Sequence, residues 1–319
     1  MLYDGRDMMK NLAITAIIVL IFMCAGYASY ILTGHSWDMP VQDKTQSAPD
    51  ETQNSAPTFN IEEMDLTRMT PHRALYDIHL IESHNTAQIV NISGKMFFEW
   101  NESCDAWTTD HRFSLLYEYA DSPAMLVTSD FSTWESRDGN TLVFSTRRSR
   151  NGELYENIRG RAVLNEDGSG GKVTYSMPED LTIDLPAGTV FPMMHTFLLS
   201  QKMDRMNSPF LNAVIFDGSD AEGAVEINAF LGRSVSPPIP ENEQITKELL
   251  TAPARKLHMA FFPLINKFEP ASDYEMASTF YQNGVIGDMR IFYDEFSIAQ
   301  DLVAIEPVPP SQDMSKCPP

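Results

Sequence analysis

The segment Val90-Asn91-Ile92-Ser93-Gly94-Lys95-Met96-Phe97-Phe98-Glu99-Trp100-Asn101 alternates largely between apolar and polar side chains. In an extended chain, residues two apart share one face. The face that we expect to be buried carries Val90, Ile92, Gly94, Met96, Phe98 and Trp100. A period of two over this length predicts a β-strand with one buried and one more polar face.

The segments on either side of this one alternate in the same way. Before it, one face carries Ala74, Tyr76, Ile78 and Leu80. After it, one face carries Trp107, Thr109, His111, Phe113, Leu115, Tyr117 and Tyr119. A further segment, Met125–Trp134, is rich in the β-branched and aromatic residues that strands favour. Together these segments predict consecutive strands of one sheet.

Short turn signals separate the strands that follow. Asp138-Gly139-Asn140 and Asn151-Gly152 have the composition of hairpin turns, because Asn and Gly tolerate positive φ at low cost. They divide the chain into strands predicted at Phe131–Ser136, Thr141–Ser149 and Glu153–Leu164, and the Gly-rich turn 166–171 precedes Lys172–Met177. Regular strands with short turns predict an antiparallel meander, curled or closed so that its edges are protected.

One stretch in the second half of the chain has helical spacing instead. Pro192 suits the first turn of a helix, and apolar residues recur after it at helical intervals, so we predict the main α-helix over Pro192–Met206, packed against the sheet. Strand patterns then resume at Leu211–Asp217, Ala224–Arg233, Lys256–Phe262, Tyr274–Gln282 and Met289–Ile298. The predicted fold class is all-β: a large, curled antiparallel sheet forming a partly closed barrel, with one main α-helix.

An apolar run without charges, Leu12–Leu32, lies near the start of the chain. At about 1.5 Å per residue it is long enough to span a bilayer, and its first part also fits the core of a signal peptide. Residues 1–34 are therefore interpreted as either a cleaved signal peptide or an inner-membrane anchor. Residues 35–64 are interpreted as a flexible polar linker and residues 65–319 as one exported domain.

The formal net charge of −21 excludes several kinds of partner. A chain this acidic repels phosphate backbones, so we predict that it binds no nucleic acid. Anionic membrane surfaces are disfavoured for the same reason. A basic partner, or simple solubility in an exported compartment, fits this charge better.

Two of the three cysteines, Cys104 and Cys317, lie beyond the apolar run. In an oxidising compartment they predict one disulfide, which would close a loop of 317 − 104 = 213 residues. A chain-entropy estimate gives such a closure roughly 5 kcal/mol of stabilisation as an upper figure.

Patterns that would indicate catalysis or metal binding are weak. The sequence has no P-loop, dinucleotide-binding fingerprint, zincin histidine pair or Gly-x-Ser-x-Gly elbow. His79 and His84 are five residues apart, which places them on opposite faces of a strand. In the acidic segment Asp217–Gly223, Ala221 occupies the fifth position, where a calcium loop requires an oxygen ligand. A tight acidic turn is the alternative, and we predict no catalytic residue, metal site or cofactor.

A stripe of aromatic residues has two interpretations. It would either line a groove for a sugar or lipid, or simply belong to the core of the sheet. Its members are Trp100, Trp107, Phe113, Tyr117 and Trp134.

Four motifs in register resemble one known family. They are Ser103-Cys104-Asp105-Ala106-Trp107-Thr108-Thr109, Leu185-Pro186-Ala187-Gly188-Thr189-Val190-Phe191-Pro192 with His195 one turn later, Phe216-Asp217-Gly218-Ser219-Asp220, and Lys316-Cys317-Pro318. In this order, from about Arg73 to Pro319, the sequence is similar to the EipB-type cell-envelope integrity proteins of alphaproteobacteria.

The resemblance implies a periplasmic protein whose strands curl into a β-spiral, with a disulfide between the cysteines that match Cys104 and Cys317. It implies a non-enzymatic role in maintaining the cell envelope under stress, with a partner such as a periplasmic tetratricopeptide-repeat protein. It implies no cofactor. Two alternatives stay open, a hydrolase of envelope polymers that uses paired carboxylates, and a carrier of lipid or lipoprotein. The lining of the concave face would distinguish them.

Overall fold

The computed structural model of the protein describes residues 66–84, 88–204, 208–264 and 272–309. The predicted leader (residues 1–34), the predicted linker (residues 35–64) and Cys317 lie outside these ranges. Within them, fifteen strands form a single sheet accompanied by one α-helix. The elements are β1 His72–Ser83, β2 Ile89–Glu102, β3 Ala106–Tyr119, β4 Met125–Ser136, β5 Thr141–Arg150, β6 Glu153–Leu164, β7 Gly171–Met177, β8 Thr182–Leu185, β9 Thr189–Val190, α1 Pro192–Lys202, β10 Phe210–Ile215, β11 Val225–Val235, β12 Ala254–Pro263, β13 Tyr274–Tyr281, β14 Ile286–Phe292 and β15 Phe296–Pro307.

The sheet consists of two meanders joined side by side. Its strand order is β8-β7-β6-β5-β4-β3-β2-β1-β15-β14-β13-β12-β11-β10-β9. β1 pairs antiparallel with β15, with His72 opposite Pro307, and this pairing unites the two halves. The two edge strands, β8 and β9, are consecutive in the chain, and β9 pairs parallel with β10. The result is a nearly closed, barrel-like sheet, which confirms the predicted fold class.

Alternating burial along the strands confirms most of the predicted inner faces. In β3, every second residue from Trp107 to Tyr117 is buried. In β2, however, the assignment of Val90 to the inner face is wrong, because its side chain is 58% exposed whereas that of Ile89 is buried. A register irregularity between Ile89 and Asn91 causes the difference, since one extra residue in a strand reverses the faces beyond it.

The predicted hairpin between β5 and β6 is confirmed at its turn residues. Asn151 has a φ of 51° and Gly152 a φ of 84°. Positive φ at both central positions matches the right-handed twist of the paired strands. The turn between β5 and β6 therefore has the conformation that its residues predict.

The single strand predicted at Met289–Ile298 is wrong. β14 ends at Phe292 and β15 begins at Phe296, with a turn between them in which the amide of Tyr293 donates to the carbonyl of Phe296 at 2.9 Å. Asp294 and Glu295 are exposed at this turn. Because apolar residues stand on both sides of so short a turn, the sequence pattern runs through it without a visible break.

The helix begins at Pro192 as predicted, but its predicted end is wrong. α1 ends at Lys202, and the amide of Met203 is shared between the carbonyls of Leu199 and Ser200 at 3.3 and 3.2 Å. Such sharing tightens the last turn and ends the helix. Met206, the predicted end, lies outside the described residues. No helix in the described ranges combines the length and hydrophobicity needed to cross a membrane.

Candidate functional site in the barrel interior

The helix α1 occupies the concave side of the sheet. The ring of Phe197 packs on that of Trp107 in β3, with 4.9 Å between centroids. Residues of β12 to β14 approach the same helix from the other half of the sheet. The buried residues of the helix are Pro192, Met193, Met194, His195, Phe197, Leu198, Leu199 and Ser200. The helix therefore forms the centre of the core.

A buried glutamate holds the first turn of this helix. Glu135, 1% exposed, accepts hydrogen bonds from the amides of Met193 at 2.8 Å and Met194 at 3.0 Å. These amides have no partner inside the helix, and its N-terminus favours negative charge. Burial nevertheless outweighs these contacts and raises the pKa of Glu135 to about 8. Sequence reasoning missed this residue, although strand alternation from Phe131 places it on the inner face.

A small cavity lies between α1 and the inner face of the sheet. Its volume, measured over the positions that the centre of a water molecule can take, is about 40 Å³. Its walls are mostly apolar and include Phe98, Trp100, Leu199 and Met259. Pockets for organic ligands measure roughly 300–1,000 Å³. The cavity has room for a few water molecules and not for a lipid chain or a sugar.

Three polar side chains of neighbouring strands border this cavity. The hydroxyls of Thr109 and Thr133 hydrogen-bond each other at 2.6 Å. The His111 ring, 4.7 Å from that of Phe98, has no hydrogen-bond partner for Nδ1 within the described residues. Burial lowers the pKa of His111 to about 3, so its imidazole is neutral.

Two further histidines are buried and neutral. The indole of Trp100 donates to Nδ1 of His72 at 3.0 Å, and burial lowers the pKa of His72 to about 4. Burial lowers the pKa of His195 in α1 to about 3. His79 and His84 are both exposed. Across the described ranges, no three His, Cys, Asp or Glu side chains are grouped so that they could hold a metal ion.

The acidic segment Asp217–Gly223 is a turn between β10 and β11, and its first four residues are buried. It packs against the inner face of β5 and β7. Arg148 donates to the carbonyl of Ser219 at 2.9 Å and also pairs with Glu156. Tyr175 donates to the carbonyl of Asp220 at 3.2 Å. The loop thereby connects the second half of the sheet to the first.

The glycine of this loop explains how closely it packs. Gly218 has a φ of +75°, and a Cβ added there would lie 2.2 Å from Cγ of Phe144. No side chain fits in that position without displacing the aromatic ring. The Phe-Asp-Gly-Ser-Asp motif is therefore explained by packing.

The two carboxyl groups of the loop are buried, and the pKa of each is raised above its usual value. Asp217 and Asp220 are 8% and 7% exposed. Burial raises the pKa of Asp217 to about 6, and burial together with the neighbouring Asp217 raises the pKa of Asp220 well above its usual value. Each accepts a hydrogen bond from its own turn, from the amides of Ser219 at 2.9 Å and Glu222 at 2.8 Å. These hydrogen bonds hold both carboxyl groups within the loop.

The structure places the residues of the predicted aromatic stripe on two different faces of the sheet. Trp100, Trp107, Phe113 and Tyr117 are at most 5% exposed and belong to the core. Trp134 lies on the opposite, outer face of β4, where it is half-buried. The four inner residues therefore do not line an open groove.

Cys104 lies in the bend between β2 and β3 and is half-buried. The amide of Ser103 donates to the carbonyl of Ala106 at 2.8 Å, and Arg137 donates to the carbonyl of Ser103 at 2.8 Å. These contacts fix the bend. Cys317 lies outside the described residues, so the disulfide stays a prediction.

Another of the quoted motifs forms the junction between the two sheet edges. Leu185 ends β8, Gly188 takes a φ of 77°, and Thr189 begins β9. Pro192 then begins α1. One short motif thus places both edges of the sheet and the start of the helix that fills it.

Comparison with known proteins gives consistent results. The model of the EipB-like family matches residues 63–309. The cell envelope integrity protein EipB of Brucella abortus is 29% identical over 241 residues, covering 75% of this chain and 84% of that protein. A crystal structure of a β-barrel-like protein from Brucella abortus, described as a domain of unknown function, superposes with a TM-score of 0.71 at 27% identity. That similarity covers 76% of this chain and 99% of the other. The family model matches most of the length of the chain, so the chain belongs to the EipB-like family.

Proposed function

We propose that the protein supports the integrity of the bacterial cell envelope as a non-enzymatic binding protein of the periplasm. The family includes a relative named as a cell envelope integrity protein, which supports an envelope location. The observation that carries the binding role is the filled interior: α1 and the acidic loop occupy the concave side of the sheet. The outer surface is then the part available to an envelope component or a periplasmic partner protein.

The N-terminal segment fits this proposal in either of its two forms. Residues 12–32 would direct export as part of a signal peptide or remain as an inner-membrane anchor. With an anchor, the polar residues 35–64 would let the domain stand away from the membrane. A tetratricopeptide-repeat protein is the kind of periplasmic partner that the family resemblance implies.

The carrier alternative has less support. A carrier of lipid or lipoprotein needs a continuous apolar concavity, and α1 with its buried side chains occupies that position. The remaining cavity of about 40 Å³ is far below the size of a ligand pocket. Lipid carriage would require the helix to leave the interior.

The hydrolase alternative depends on a carboxyl pair, so Asp217→Asn and Asp220→Asn test it. We expect each variant to restore growth of a strain that lacks the gene, under detergent stress, as well as the unaltered protein does. A catalytic carboxyl would instead contribute roughly 10²–10⁴-fold to the rate, and its loss would abolish restoration. Growth is compared at equal protein levels and equal melting temperatures. A well-folded variant that fails to restore growth would contradict the non-enzymatic proposal.

A further inference from the structure

Three arginines lie together on the outer surface of β5 and β6. Arg147, Arg159 and Arg161 are exposed, whereas the residues that alternate with them, such as Ile158 and Ala162, are buried. We call this surface the arginine face and define it by Arg147, Arg159 and Arg161 with their neighbours Val143 and Val163.

Strand geometry fixes the spacing of the three charges. Arg159 and Arg161 are two residues apart on β6, so their Cα atoms lie roughly 7 Å apart on one face. Arg147 in β5 is opposite Asn157. It is therefore diagonal to Arg159, at roughly 7–8 Å. The guanidinium groups extend from a rigid part of the sheet with a defined spacing.

These arginines lack the carboxylate partners that most other arginines of the protein have. Within the described ranges, none of the three has a carboxylate at ion-pair distance, whereas Arg73, Arg137, Arg148 and Arg290 each have one. Asp130 is opposite Arg147 on β4, yet the ion pair that it forms is with Arg112, at 3.9 Å. In a chain with a net charge of −21, three neighbouring arginines without carboxylate partners form a local patch of positive charge.

Apolar side chains surround these charges. Val143 is 39% exposed and Val163 44% exposed. Val143 is opposite Trp134, which is half-buried on the same outer face. Arginine and aromatic residues are enriched where proteins bind one another, and lysine is depleted. The composition of this face is that of a protein-binding surface.

We propose that the arginine face binds an acidic segment of a partner protein, in extended conformation, with carboxylates at every second residue. In an extended segment, alternate side chains repeat at roughly 7 Å, which matches the spacing of Arg159 and Arg161. A guanidinium group binds a carboxylate through two parallel hydrogen bonds. This inference rests on the proposed binding function and names the class of partner.

Charge distinguishes a protein partner from an anionic membrane. A bilayer is a broad surface, and it would also meet Asp130, Glu153 and Asp184, which are exposed around the arginine face. Fields decay over about 8 Å at physiological salt, so a narrow segment that follows Arg159 and Arg161 along β6 meets fewer of these carboxylates than a flat bilayer would. The net charge of −21 repels a membrane and not a contact of this limited width.

The test measures binding of a twelve-residue peptide of alternating Glu and Thr to the full chain by fluorescence anisotropy. The comparison peptide has the same composition in blocks of two Glu and two Thr. The double variant Arg159→Gln/Arg161→Gln is compared with Arg233→Gln/Lys247→Gln. The second variant removes the same charge from two exposed positions that have no carboxylate partner among the described residues, one in β11 and one in the short 3-10 helix Lys247–Leu250. Two lost exposed charge contacts predict a dissociation constant about tenfold higher for the first variant only.

We expect the alternating peptide to bind more tightly than the block peptide, with binding that weakens as salt rises. Equal affinities for the two double variants, equal affinities for the two peptides, or binding to phosphatidylglycerol vesicles instead of peptide would each overturn the inference. Such failures concern the arginine face alone, because the growth test with the Asp217 and Asp220 variants addresses the non-enzymatic role separately.

Discussion

Replacing Cys104 with serine is expected to lower the melting temperature of the protein by roughly 10 °C and to make it more sensitive to proteases. The predicted disulfide with Cys317 would restrict a loop of 317 − 104 = 213 residues in the unfolded chain. This restriction is worth up to roughly 5 kcal/mol, and each kcal/mol shifts melting by about 2–4 °C in a domain of this size. Thermal unfolding, followed by circular dichroism, measures the shift.

Three controls distinguish a lost disulfide from a lost side chain. Cys317→Ser should have the same effect, and the double variant should be no less stable than either single one, because both remove one bond. Reduction of the unaltered protein should reproduce the shift, whereas Cys24→Ser should leave melting unchanged. Equal melting of the oxidised and reduced protein would show that no stabilising disulfide is present.

Replacing Glu135 with glutamine is expected to reduce the loss of stability between pH 6 and pH 9 by about 3 kcal/mol. Its pKa is about 8 in the folded protein, against 4.5 ordinarily, so the folded state holds a proton that the unfolded state lacks. Stability therefore falls as pH rises through 8, by about 3 kcal/mol between pH 6 and pH 9. Asp217, with a raised pKa of about 6, acts in the same direction. Urea unfolding at a series of pH values measures the slope.

The buried histidines cause stability to fall on the acidic side of the same pH range. His72, His111 and His195 have folded pKa values of about 4, 3 and 3, below the usual 6.5, so stability is lost as pH falls below 6.5. Maximum stability is expected near pH 6. Glu153→Gln, at an exposed position, is the matched control and should follow the unaltered protein. A Glu135→Gln variant with an unchanged alkaline slope would contradict a protonated buried carboxyl.

Local sequence patterns predicted the first half of the sheet, because its strands and turns are determined by residues that are close together in the sequence. Alternation in β3 and the Asn151-Gly152 turn depend only on neighbouring residues, and both are confirmed. The turn at Tyr293–Glu295 was missed because apolar residues on both sides continue the alternation across it. The pairing of β1 with β15 joins residues more than 200 positions apart, and no local period reports it.

The interior site was only partly predictable for a related reason. The helix start at Pro192 followed from spacing, but its position inside the barrel depends on Glu135, whose amide partners lie almost sixty residues later. The Asp217–Gly223 segment was identified as a turn, whereas its burial depends on Arg148 and Tyr175 in the other half of the sheet. A glutamate on an inner face was the one available signal, since such a group needs a polar partner.

The proposed function requires that the interior is a packed core and that the protein acts through its outer surface. Thr196→Leu tests this most directly, because Thr196 borders the cavity and the larger side chain would occupy it, while Thr196→Val removes the hydroxyl without adding volume. The measurement is growth of a strain lacking the gene, under detergent stress, with each variant at equal protein level and checked for folding. Both variants are expected to restore growth fully. Growth that is restored by the valine variant and not by a well-folded leucine variant would contradict a packed interior, because the interior would then have to admit a ligand.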